Sequence, residues 1–320
     1  MRLHLPNSAF LGNIDPFLLS FSPSYPARLT LTANKKWISI HPAVLSLVAA
    51  LGLTVKPTRI SCEKLEATSK HYLQRMGLFK LLRIPSGITI KEHEPAGRFI
   101  PLTRITNSGQ LSRFITEMIP LLHLEPRQAT PIKYVVSELV RNVLEHAQAE
   151  HGAIVSAQYY TKSNTIRIGI ADTGVGIKAT ITQSYPASTH LEAIRLALTP
   201  GITGTTRREG GTEFNAGAGL FVIKSIAKVS RDFFLIYSGN ALYKALKNPA
   251  TKQVQLYADP FRDRHSARED LPFWPGTVVG IDITVDNTPE FTSLLDSIWD
   301  VYIKTIRERK KERYRRAQFR

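Results

Sequence analysis

Eight apolar residues between Ile132 and Ala147 constrain this chain more than any other feature. Ile132, Val135, Val136, Leu139, Val140, Val143, Leu144 and Ala147 recur at i, i+3, i+4 and i+7 without a miss, the spacing of one helical face. A stripe that regular has to be buried, so the segment predicts an amphipathic helix of four to five turns lying on a core. Thr130–Pro131 in front of it supplies a capping side chain followed by a proline at the first helical position. Two strands follow. Residues 153–160 are rich in β-formers, and residues 165–171 alternate, with Ile166, Ile168 and Ile170 on one side. Ser163–Asn164 suits the hairpin turn between them.

The rest of the chain is read around this unit. The first 25 residues are rich in Pro, Ser and Asn and show no sustained period, which predicts an irregular segment. Strand-like runs at 28–32, 37–40 and 58–61 alternate with helical runs at 42–51 and 63–76. This β-α-β-α order predicts a small α/β domain over residues 26–108, suited to docking a partner. A second unit spans 109–287. It opens with a helix at 111–122 and continues past the hairpin into a long Gly/Thr-rich segment. A helix at 220–229, a strand at 233–237 and a strand at 276–283 complete it. Residues 240–275 are polar and carry prolines, and are expected to form an inserted loop. Residues 288–320 are expected to be a helix with a basic tail. The fold class is α/β.

Composition excludes several function classes. The single cysteine, Cys62, rules out an intrachain disulfide or a Cys-cluster metal site. No run reaches the ~18 apolar residues of a membrane helix, and the N-terminus lacks a basic region leading into an apolar core. A reducing cytoplasm is the expected compartment, with no membrane contact. The formal charge is +16. Residues 304–320 hold nine Lys/Arg against two Glu, which makes nucleic acid a candidate partner for that stretch. A solvated helix end explains the same charge.

Three groups carry chemistry. Glu138, Asn142 and His146 rise together on a second ridge of the 132–147 helix, spaced i, i+4, i+8. An Asn oxygen there can bind Mg²⁺ and a Glu can orient or deprotonate water. Taken alone, they are better described as a polar helix face meeting solvent. Asp172-Thr-Gly174-Val-Gly176 comes directly off a strand, placing a carboxylate where it can accept from an exocyclic amine, beside glycines that let backbone approach a flat ligand. Gly217-Ala-Gly219 precedes a helix, whose N-terminal amides favour phosphate. There is no Walker A motif and no Rossmann fingerprint.

In order and spacing these pieces resemble the GHKL ATPases, the superfamily that includes gyrase, sensor histidine kinases and anti-sigma-factor kinases. Glu138–Asn142 is similar to the N-box, Asp172–Gly176 to the first glycine box, and Gly217–Gly219 to the second. Gly276–Thr277 is similar to the late Thr that supports the adenine pocket. The resemblance covers residues 110–285. It implies a two-layer α/β sandwich, the Bergerat ATP-binding fold, preceded by the smaller α/β domain.

The resemblance also implies roles. Asn142 would hold Mg²⁺ bridging the phosphates of ATP. Asp172 would accept from the adenine amine, assisted by Thr277, with Gly174 and Gly176 shaping the pocket. Gly217 and Gly219 would bind phosphate, and Glu138 would be the catalytic base. Residues 178–216 would be a lid over the nucleotide, with Arg207 and Arg208 in reach of phosphate. Neither His93 nor His123 stands in a helix pair that would suit a phospho-acceptor. The chain looks nearest to bacterial stand-alone ATP-binding regulators of the anti-sigma-factor kinase type. The expected function is Mg²⁺-dependent ATP hydrolysis, or phosphorylation of a protein, in a regulatory role. The alternative is a nucleotide-gated protein-binding module with little turnover. A protein partner is expected, and a homodimer is compatible with the sequence.

Overall fold

The computed structural model describes the whole chain except residues 24–25, 36–37, 64, 88–98, 205–216, 250, 252–253, 286–290 and 318–320. The front of the chain contains β1 (Arg2–Leu5), β2 (Ser8–Ala9), α1 (Asp15–Leu19), β3 (Leu29–Ala33), β4 (Ser39–Ile40), α2 (Pro42–Leu53), β5 (Ile60–Glu63), α3 (Ala67–Arg75) and α4 (Leu78–Leu82). Residues 2–19 of the segment expected to be irregular are therefore structured. Leu3, Leu5, Leu11, Ile14, Phe17 and Leu18 are all buried there. Local periodicity missed them because β1 and β2 are only four and two residues long. Each pairs in parallel with a distant partner, β1 with β3 and β2 with β4.

Next come β6 (Phe99–Ile105), α5 (Ser108–Arg113), α6 (Pro126–Asn142), β7 (Ala153–Tyr160), β8 (Thr165–Ala171), α7 (Gly176–Ile181), α8 (His190–Ala197) and α9 (Gly219–Val229). The chain continues through β9 (Phe234–Gly239), β10 (Ala241–Ala245), β11 (His265–Arg268), β12 (Trp274–Thr284) and α10 (Phe291–Ala317). Seven strands form one sheet in the order β11-β10-β9-β12-β8-β7-β6. Every pairing in it is antiparallel. β6, from the segment assigned to the front domain, is an edge strand of this sheet.

Two further expectations are corrected. Residues 240–275 are only in part an irregular insertion: Gly239, at φ +61°, turns β9 directly into β10, and β11 closes the edge, while residues 246–249 and 254–259 form neither helix nor strand. Its charges disguised it, because they are paired inside. Asp263 is buried and takes both Lys224 and Lys228 of α9, and Lys244 pairs with Asp15. The long helix starts at Pro126 rather than at Thr130–Pro131, and Pro131 lies within it. The Thr130 hydroxyl bonds back to the Pro126 carbonyl instead of capping.

The two faces of the sheet bury different things. Ile166, Ile168, Ile170, Phe234, Ile236, Val279 and Ile281 face the apolar stripe of α6 together with α9 and α10. Ile154, Ala171, Leu235, Tyr237 and Val278 face the front elements, above all α2. From Pro42 to Gly52, α2 is buried on all sides. It sits over Gly169 and Gly280, which are cross-strand partners. A Cβ on Gly169 would stand 2.0 Å from the Ala43 amide nitrogen, and one on Gly280 would stand 2.7 Å from Leu11 Cδ2. These two glycines are the depression into which the start of α2 descends.

Candidate functional site

The cleft lies between α6, the sheet and the segment from α7 to the start of α9. It is a half-open cleft with a cavity volume of about 150 Å³. Glu138, Asn142, His146, Asp172, Gly176, Gly217, Gly219 and Thr277 all line it. Among the described residues given a role above, Gly174 does not line it. It acts from behind: a Cβ there would stand 2.0 Å from the Ala147 carbonyl oxygen, and the next amide, Val175, donates to that oxygen at 2.8 Å. Gly174 thus lets the glycine loop close on the end of the α6 segment.

That end is itself unusual. After Asn142 the α-helix widens into a π-turn over Val143–Ala147, a feature often found at functional sites. Glu138 and Asn142 sit on the last regular turns. Glu138 is half-buried, and its Oε1 is 2.9 Å from Arg141 Nη2. Its Oε2 faces the start of α9, where a Cβ on Gly219 would meet it at 2.7 Å. Burial pushes the Glu138 carboxyl up while the Arg141 guanidinium pulls it down, with the net shift upward. No described residue hydrogen-bonds the Asn142 amide.

Register places the opposite end. Val278 pairs with Ala171, so the residues one step further out, Thr277 and Asp172, are neighbours. The Asp172 amide donates to the Thr277 carbonyl at 2.9 Å. Asp172 is buried, and its Oδ1 accepts the Gly174 amide at 2.8 Å. Desolvation pushes its carboxyl up to about 7, against the pull of hydrogen bonds from the Gly174 and Thr277 backbone. Trp274 Nε1 donates to the Asp172 carbonyl at 3.0 Å. Gly176, at φ +76°, starts α7. Ile170, Ile177, Ile181, Ile202, Leu220, Ile236 and Val279 add an apolar lining, suited to a flat base.

Gly217 and Gly219 hold the other rim. Gly217, at φ +63°, packs against Ile202, and its carbonyl accepts the Gly201 amide at 3.0 Å. The two stems of the intervening loop are thereby joined. Residues 178–204 of the expected lid include the end of α7 and all of α8, so that part is built structure. Arg207 and Arg208 lie outside the described residues. Two residues escaped the sequence reading. Ser238, on β9, hydrogen-bonds both the glycine loop and the Thr277 strand. Arg141 holds Glu138. The i, i+3 spacing could have revealed Arg141, whereas nothing local marks Ser238.

Residues 103–231 match the histidine kinase-like ATPase domain family. That span carries Glu138, Asn142, both glycine segments and strands β7 and β8, and the match is consistent with a GHKL-type ATPase domain. No curated protein and no solved structure matches the chain significantly. Among the described residues, no helix is long and apolar enough to cross a membrane.

Proposed function

We propose that the protein binds Mg·ATP in this cleft and hydrolyses it, or transfers its phosphoryl group to a protein, as a regulatory switch. The observation that carries this is the polarity of one cleft. An acceptor pair, buried Asp172 and half-buried Thr277, stands at its apolar end, and Glu138, Asn142 and the α9 N-terminus stand at the other. The first suits an amino-bearing base; the second suits phosphates, a metal and an attacking group.

The residues fit a metal that arrives with the nucleotide. Among the described residues no group of three His, Cys, Asp or Glu could hold an ion alone. Mg²⁺ commonly uses one or two protein oxygens plus phosphates and waters, and the Asn142 amide oxygen is such a donor. Its chemistry there would be to neutralise phosphate charge. Glu138, half-buried and on the same helix face, is the group placed to orient or accept a proton from a nucleophile. A nucleotide-gated module with little turnover is the second reading. It is favoured by the Arg141 ion pair, which occupies one Glu138 carboxylate oxygen at 2.9 Å.

Radiolabelled ATP with wild type and Glu138→Ala tests the reading. Hydrolysis lost with binding kept supports turnover at Glu138. Binding without turnover in either protein supports the gated module. No binding in wild type overturns both.

A further inference from the structure

Ser238 is buried under the base end of the cleft, 1% exposed, and its hydroxyl is almost fully committed. It donates to the Gly276 carbonyl at 2.7 Å and accepts the Ile177 amide at 3.0 Å. A serine hydroxyl has one proton and two lone pairs. The proton and one lone pair are therefore used. Thr277 Oγ1 lies 3.5 Å away, a long hydrogen bond in which Thr277 is the donor. The direction has a physical cause: with its own proton on Gly276, Ser238 can only accept from Thr277. The Thr277 oxygen then turns its lone pairs, not its proton, toward the cleft.

The packing around Ser238 holds this arrangement in place. A Cβ on Gly176 would stand 2.9 Å from Ser238 Oγ and 3.2 Å from the Gly276 carbonyl oxygen. The glycine loop is thus seated directly on the hydroxyl. One further acceptor stands alongside. The Asp172 carboxylate accepts from the Gly174 amide and from the Thr277 backbone, and with about four acceptor sites when ionised it keeps capacity for a ligand.

We propose that Ser238 is a positioning residue for base selection: by fixing the direction of the Thr277 hydroxyl, it makes the base end of the cleft a pair of acceptors. Such a pair takes a ligand edge with two donors, the exocyclic amine of a 6-aminopurine, directly or through a water. It opposes a 6-oxopurine, whose oxygen would face two acceptors. Leaving buried polar groups mismatched is what makes such discrimination strong. This inference rests on the reading that a nucleotide base occupies this end of the cleft.

The test uses Mg·ATP and Mg·ITP, titrated calorimetrically into the full chain at pH 8.5, where Asp172 is ionised. Wild type is expected to prefer ATP. In Ser238→Ala the Thr277 proton is released to turn outward, and the ATP-over-ITP ratio is expected to fall at least five-fold. Thr277→Val, which leaves Ser238 in place, is expected to lower the ratio as well, and it serves if Ser238→Ala does not fold. Adding Ser238→Ala to Thr277→Val is expected to change the ratio no further, since the relay is already broken. A merely structural Ser238 would weaken both nucleotides equally in Ser238→Ala. An unchanged ratio there, or in Thr277→Val, overturns the proposal while leaving ATP binding intact. If wild type binds both nucleotides equally, the base selection is wrong. If it binds neither, the nucleotide reading itself has failed.

Discussion

The Cα of Gly276 lies against Asp172 so closely that a Cβ would stand 2.4 Å from its Oδ1 and 2.3 Å from its carbonyl oxygen. The contact is a backbone-to-site contact, so no flexible side chain can relieve it. Gly276→Ala is expected to displace Asp172, weaken ATP binding at least ten-fold and cost about 1–3 kcal/mol of stability. Calorimetry and urea unfolding check both. Unchanged affinity would mean that Asp172 does not touch the ligand.

Asp172 should trade stability for binding. Its carboxyl is raised from 3.8 to about 7 by burial. In the interval between those values the folded state holds a proton that the unfolded state has released. Its favourable contribution is therefore full below pH 4 and disappears as pH rises through 7. Asp172→Asn removes the buried charge. It is expected to raise the melting temperature relative to wild type more at pH 8 than at pH 5, while weakening ATP binding. A melting difference that does not grow with pH would contradict this.

His41 has the opposite sign. Its Nδ1 accepts the Ala43 amide at 3.0 Å, so the ring proton is on Nε2 and points to Asp282 Oδ1 at 2.9 Å. Arg167 also stands near Asp282, at 3.5 Å. Burial holds His41 below its ordinary 6.5 despite the favourable Asp282 contact. A second ring proton would have to displace the amide that caps α2. The unfolded state binds more protons below pH 6.5, so stability falls as pH drops through that value. His41→Asn is expected to lose less stability than wild type between pH 7.5 and 5.5, read by urea unfolding.

Gly169→Ala is expected to be severe. The added carbon meets the Ala43 backbone at 2.0 Å and would lift α2 from the sheet, costing on the order of 3 kcal/mol or more. Soluble yield and thermal melting are the readouts. A melting temperature within a degree of wild type would show that α2 is not held there.

The basic end divides at Arg309. Ile306 is buried, and Arg309 Nη1 donates to the Pro200 carbonyl at 2.8 Å. A chain ending at 309 is expected to melt like wild type, whereas one ending at 303 is expected to melt lower. If nucleic acid binds these cations, the shorter cut alone removes binding that weakens steeply with salt. Filter retention at two salt concentrations decides whether a polyanion is the ligand.

How much could be read in advance depended on how local each signal was. The α6 stripe and the alternating isoleucines of β8 are set by residues three or two apart; β8 appears where expected, and α6 buries the expected stripe but starts earlier, at Pro126. The motif residues came together because register carries Asp172 and Thr277 to adjacent positions, which spacing along the chain only hints at. β1 and β2 were missed because they are short and pair with strands far along the sequence. β10 and β11 were missed because the segment that holds them is rich in charges, some of them paired in the interior, such as Asp263 with Lys224. Gly169 and Gly280 looked like ordinary strand residues because the helix that needs them is more than a hundred residues away.

That pair of glycines has a mechanical consequence. With α2 sunk into one side and α6, α9 and α10 on the other, the sheet is clamped like the middle ply of a laminate. With both faces covered, the parts of the cleft wall not backed by a second layer are α7, α8 and the loop stems joined at Gly201 and Gly217. Any second molecule that senses the state of this cleft would then have to grip the molecule along that rim, because the reverse side of the sheet is already occupied by the chain's own front elements.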